Sequence, residues 1–127
     1  MASFLDPLVG GRTGGRRLVN ARTGSLVAHS LHTAFDSSSR RTGLLRHDSL
    51  AEGNALIIAP TNAIHTFFMR FPIDVAFVAR SGRILKVRRD LPPWRLAAAW
   101  RGYAVVELPA GALAKSGTGA GDMVIVV

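Results

Sequence analysis

Three features of the chain point to an α+β domain, mainly β, with a small twisted or barrel-like mixed sheet and two or three short helices. The apolar residues come in short runs: ALIIAP at 55–60, IDVAFVA at 73–79, YAVVELP at 103–109 and MVIVV at 123–127. These runs are rich in β-branched and aromatic residues and are bounded by glycine or proline, as strands are. No amphipathic stretch is long enough to supply the helix of a repeated βαβ unit. The 127 residues amount to one domain, enough to enclose a core without disulfides.

The elements follow in order. Residues 1–17 include the low-complexity GGRTGGRR, where glycine flexibility and mutual repulsion of arginines predict a flexible basic arm. Asp6 and Pro7 interrupt the apolar Phe4, Leu5, Leu8 and Val9, so no signal-peptide core is expected there. The domain proper is expected over 18–127. Residues 18–35 read as two short strands around a turn at Thr23-Gly24. Asp36 is placed to cap a short helix over 37–45, because its carboxylate accepts the orphan N–H groups of a first turn. ALIIAP is a buried strand ended by Pro60, 61–64 is a turn, and 65–69 is a further extended piece. Residues 73–79 form a buried strand, Ser81-Gly82 a hairpin turn, and 83–88 the returning strand. In LPPWRLAAAWRG, 91–102, Trp94, Ala97, Ala98 and Arg101 fall at helical spacing after a diproline. YAVVELP begins as a strand. ALAKSG, 112–117, suits one or two helical turns with Gly117 past their end, and 123–127 is the last strand.

Several of these pieces, taken together and in order, resemble the DUF192 family of small bacterial and archaeal proteins over about 26–127. They are GLLRHDSL at 43–50, ALIIAP, FFMRFPIDVAF at 67–77, RSGRILKV at 80–87, a proline at 92 or 93, VVELPAG at 105–111 and GAGDMVIV at 119–126. Two departures stand out: Met69-Arg70-Phe71 replaces the family's Met-Lys-Asn-Thr, and GNALII at 53–58 replaces its Gly-Met-Leu-Phe element. The resemblance implies a compact, β-rich α+β domain and no established activity. Many relatives look exported, but the expected absence of a leader here makes cytoplasmic the default location.

Composition narrows the chemistry. There is no cysteine, which excludes disulfides, cysteine-ligated metals and a thiol nucleophile. The glycines of GTGAGD, 117–122, lie between a short helix and a strand, the reverse of a phosphate-binding loop. The histidines, at 29, 32, 47 and 65, match no metal-binding motif. No cofactor and no metal are therefore expected, nor any membrane-spanning run.

Net charge is +8, carried almost wholly by arginine, and a basic surface of this kind attracts polyanions. Arg80, Arg83, Lys86, Arg88, Arg89 and Arg101 form a candidate polyanion patch, interleaved with Trp94 and Trp100. Arginines beside stacking aromatics suit single-stranded nucleic acid, and they also suit an acidic protein or lipid head groups.

Charges inside apolar stretches mark a second candidate region. Asp74 and Glu107 each need a donor if buried, and Arg70 or Arg95 is available to supply one. The candidate ligand pocket is thus His65, Met69, Arg70, Asp74, Trp94, Arg95 and Glu107. Its ligand would be a small anion or an acidic protein partner. The expected function is a non-catalytic binding or accessory module. Nucleic-acid binding and small-substrate hydrolysis are the alternatives, and the same charged groups fit a purely structural brace.

Overall fold

A computed structural model describes residues 2–36, 39–40 and 49–127. Most of the helix expected over 37–45, residues 43–48 of the segment GLLRHDSL, and with them His47, lie outside the described residues. At the edge of that gap, Asp36 Oδ1 accepts the Ser39 N–H at 2.7 Å, the geometry of an N-cap.

The described residues hold ten strands in three sheets. A three-stranded antiparallel sheet has the order β10-β1-β2, from β1 (Leu18–Asn20), β2 (Leu26–Ala28) and β10 (Val124–Val126). The central sheet has the order β3-β4-β9-β6-β7, from β3 (Ser30–Ala34), β4 (Asn54–Ile58), β6 (Ile73–Val78), β7 (Ile84–Leu91) and β9 (Ala104–Pro109). Its β3–β4 pair is parallel and the rest are antiparallel. The third is a two-stranded ribbon of β5 (Ala63–His65) and β8 (Leu96–Ala98). The sheet does not close into a barrel; the mainly β character stands. One short helix, α1 (Ala112–Ser116), and an interrupted 3-10 segment, Asp6–Gly11, accompany the strands.

The central sheet is buried on both faces, which is why β6 and β9 read as apolar runs, each broken by one carboxyl, rather than as alternating strands. One face carries Ala55, Ile57, Ala76, Val78, Val106 and Leu108 against Leu18, Val27, Val124 and Leu113. The other carries Leu56, Ile58, Val75, Phe77 and Val105 against Met69, Ala97 and Ala99 from around the ribbon. Phe77 is fully buried at the centre of this second layer, and truncating such a ring costs about 3–5 kcal/mol. Between β6 and β7, Gly82 turns the chain at φ 98°, and a Cβ there would run into the Val124 carbonyl.

Three expectations change. The segment before residue 10 is not a free arm: Leu5 and Leu8 are buried in the first core, and the Phe4 N–H bonds the Arg80 carbonyl at 2.9 Å. The glycine–arginine pattern of the following residues hid these anchors. Residues 96–98 form a strand, not a helix, because β5 offers a full set of pairing partners and Pro92-Pro93 leave too short a segment for a stable helix. The extended piece placed at 65–69 sits earlier, at Ala63–His65, and a turn follows it.

Candidate binding surface

The residues proposed as one pocket separate. Asp74 and Glu107 lie on opposite faces of the central sheet. Glu107 pairs directly with Val75 and so shares its face, while Asp74, one residue along β6, points the other way.

Asp74 is buried, and its carboxylate is consumed by backbone. Oδ1 accepts the Asp90 N–H at 2.8 Å and Oδ2 the Leu113 N–H at 3.0 Å. The first bond pins the bulge of β7, where Asp90 takes φ 52°. The second caps α1, whose own N-cap, Gly111, has no side chain to do so. Backbone donors therefore take the place expected for Arg70 or Arg95. Asp74 acts as a brace between β6, β7 and α1.

Glu107 is 4% exposed, beneath the layer that the ribbon covers. Its Oε2 has no hydrogen-bond partner among the described residues, and burial alone pushes its carboxyl up to about 8. At neutral pH it holds its proton.

The other five pocket residues gather around the ribbon. Cross-strand pairs set its faces: Ile64 and Ala97 turn inward, while His65 with Leu96 and Ala63 with Ala98 turn outward. The outward side continues into an aromatic cluster. His65 stacks on Phe67 at 5.0 Å between centroids, and Phe67 on Trp94 at 5.8 Å. Phe68 meets Trp94 edge-on at 4.6 Å. Met69 is buried below, and Arg70 and Arg95 are exposed at the margin.

This cluster stands on strained backbone. Phe68 and Trp94 adopt φ 67° and 66°, a region that bulky side chains avoid, yet the two residues are 67% and 55% exposed. A single buried residue, Thr66, holds both turns. Its N–H bonds the Arg95 carbonyl at 2.8 Å, and its carbonyl accepts the Trp94 N–H at 2.9 Å and the Met69 N–H at 3.2 Å. Its hydroxyl donates to the Pro92 carbonyl at 2.7 Å and accepts the Arg95 N–H at 2.9 Å. Leu96 at 69% exposure and Trp100 at 89% extend the apolar surface along the ribbon. The sequence reasoning singled out neither Thr66, Phe67, Phe68 nor Leu96. The adjacent Phe67-Phe68 was the available signal, but it reads equally as core.

The candidate polyanion patch is divided. Arg88 pairs with Val75 and faces the Glu107 layer, whereas Arg89, the next residue, reaches the Thr118 carbonyl at 3.0 Å on the other side. Lys86 spans to the Ala98 carbonyl at 2.9 Å, tying the edge strand to the ribbon. Arg80 lies 4.2 Å above the Tyr103 ring, a cation–π contact. Arg83 bridges to Met123, and Arg101 is exposed beside Trp100. Among the described residues no group of three potential metal ligands converges.

Fold and surface together define a three-layer, mainly β domain with an exposed apolar ribbon. A family model described as DUF192, uncharacterized ACR, matches residues 18–126, and the chain belongs to that family. It is similar to a crystal structure of a candidate transcription regulator from Sinorhizobium meliloti, with 23% identity and a TM-score of 0.74, covering 86% of this chain and 89% of that one. It is also similar to a protein of unknown function from Novosphingobium aromaticivorans, with 20% identity and a TM-score of 0.75, covering 91% and 87%. At these identities the likeness is one of fold. No match is found among curated proteins.

Proposed function

We propose that this domain is a non-catalytic binding module and that the outer face of the β5–β8 ribbon is its binding surface. The ligand or partner would join negative charge to an apolar body. One observation carries the reading: Phe68 and Trp94 are held at positive φ with their side chains in solvent. Each such conformation costs about 1–3 kcal/mol, and core burial does not offset it here. Bonds to Thr66 hold both turns instead, and they present the two rings outward, where a partner can meet them.

The charge around the ribbon gives the sign of the partner. Segments 54–73 and 91–106 contain Arg70, Arg95 and Arg101 and no Asp or Glu. A non-catalytic role is supported by the placement of the two buried carboxyls, because Asp74 and Glu107 on opposite faces cannot work as a pair in one cleft. Nucleic-acid binding through 80–101 loses support from the division of its arginines over two sides of β7. The reading takes the protein to be cytoplasmic.

Titration with anilinonaphthalene sulfonate, an anion on an aromatic body, tests it by amide NMR. Shifts are expected at 63–68 and 94–100, and Trp94→Ala should weaken binding about tenfold or more. Shifts confined elsewhere, or an unchanged affinity in that variant, would overturn the assignment.

A further inference from the structure

Resting on that reading of the ribbon, we propose that its partner is the surface of an anionic lipid bilayer, and that the domain docks there peripherally. Phe68, Trp94, Leu96 and Trp100 would enter the head-group boundary, with Arg95 and Arg101 against the lipid phosphates.

Three observations select this occupant. The first is ring geometry. Phe67 already stacks with His65 and Trp94, and Trp94 also takes the edge of Phe68. The rings are turned on one another, which suits an apolar wedge better than a platform for separated bases. Leu96, 69% exposed, has no π-face to offer a base, but it adds aliphatic surface for acyl chains.

The second is the composition of the outward face. Ala63, His65, Leu96 and Ala98 carry no fixed charge, and the cations lie at its margins. Apolar centre and basic rim are the arrangement by which peripheral proteins bind anionic leaflets, with tryptophan favoured at the interface.

The third excludes self-association. A twofold interface sets a patch against itself. Here that would bring a patch carrying Arg95 and Arg101 against the same patch of a second copy, with no carboxylate in 91–106 to receive them.

The chain supplies its own probe, since its two tryptophans, Trp94 and Trp100, both lie on this surface. The full chain is mixed with vesicles of phosphatidylcholine alone and of phosphatidylcholine with about 30% phosphatidylglycerol, and binding is followed by flotation and tryptophan emission. The expected result is flotation with the anionic vesicles, a blue shift of emission, and weakening as salt rises. Leu96→Ser and Trp100→Ser should each weaken partitioning about tenfold. Trp100→Ser is the control for folding, because a side chain 89% exposed contributes little to the core. Absence of flotation at low salt, or flotation undiminished in both variants, overturns the proposal. If anilinonaphthalene sulfonate still maps to the ribbon while vesicles do not bind, the lipid assignment falls and the binding surface stands. Binding of a single-stranded oligonucleotide or an acidic peptide at the same residues, without vesicle binding, likewise replaces the lipid by that partner.

Discussion

Asp74 and Glu107 are both carboxyl groups in the same sheet, and their surroundings give them different roles. Asp74 receives two backbone N–H groups and ties a bulge to a helix start. Removing its charge should weaken both bonds, so Asp74→Asn is expected to cost about 1–3 kcal/mol in urea unfolding while leaving ribbon binding unchanged once folded. A variant as stable as the parent would show that the brace contributes nothing. Glu107 Oε2 has no donor among the described residues, and desolvation keeps the carboxyl protonated. Folded, it holds that proton up to about pH 8; unfolded, only to about 4.5. Between these values unfolding releases a proton, so stability falls as pH rises. Glu107→Gln should therefore gain on the parent steadily through this window, reaching roughly 3–5 kcal/mol at its upper end and little at pH 4. Superimposable pH profiles for parent and variant would contradict the assignment.

The ribbon is a small element with little core of its own. Ile64 and Ala97 face inward, and the rest of its order comes from Thr66, the buried joint between its two turns. That construction explains how two bulky residues persist at positive φ. Phe68→Gly removes the Cβ that makes φ 67° costly, and the side chain it deletes is largely in solvent. The expected outcome is unchanged or higher thermal stability, by up to about 1 kcal/mol, together with weaker binding at the ribbon. A loss of stability instead would mean that Phe68 contributes packing that outweighs its strain.

Across the molecule, two layers of core share one central sheet, and a polar network closes the far side. Asn20, fully buried, donates to Asp122 at 3.0 Å and to Thr118 at 3.1 Å, joining β1 to the loop before β10. Arg22 completes the cluster with a 2.6 Å bond to Asp122. That bond, with the Gly119 N–H, holds the Asp122 carboxyl below its ordinary range. Its stabilisation is present above the unfolded value of 3.8 and is lost as pH falls below it. Set beside the loss expected from Glu107 above about 4.5, this predicts greatest stability near pH 4–5. Urea midpoints measured from about pH 3 to pH 9 check it. A plateau extending through neutral pH would contradict the buried state of Glu107.

The strands β4, β6 and β9, the Gly82 hairpin, the helix ending at Gly117 and the family resemblance were all legible in the residues. Each rests on local chemistry: β-branched runs, turn glycines and an ordered set of short motifs. Three things were not legible. The strand character of 96–98 comes from β5, some thirty residues away, and overrides a local helical spacing. Two-sided burial of the central sheet erased the alternation that would have sent Asp74 and Glu107 to opposite layers. The left-handed turns at Phe68 and Trp94 depend on Thr66 bonding across to 92–95. Short-range steric and propensity effects act within a few residues and can be read in order along the chain. Which face a side chain takes, and whether an aromatic ends in core or in solvent, depends on partners that only folding brings together.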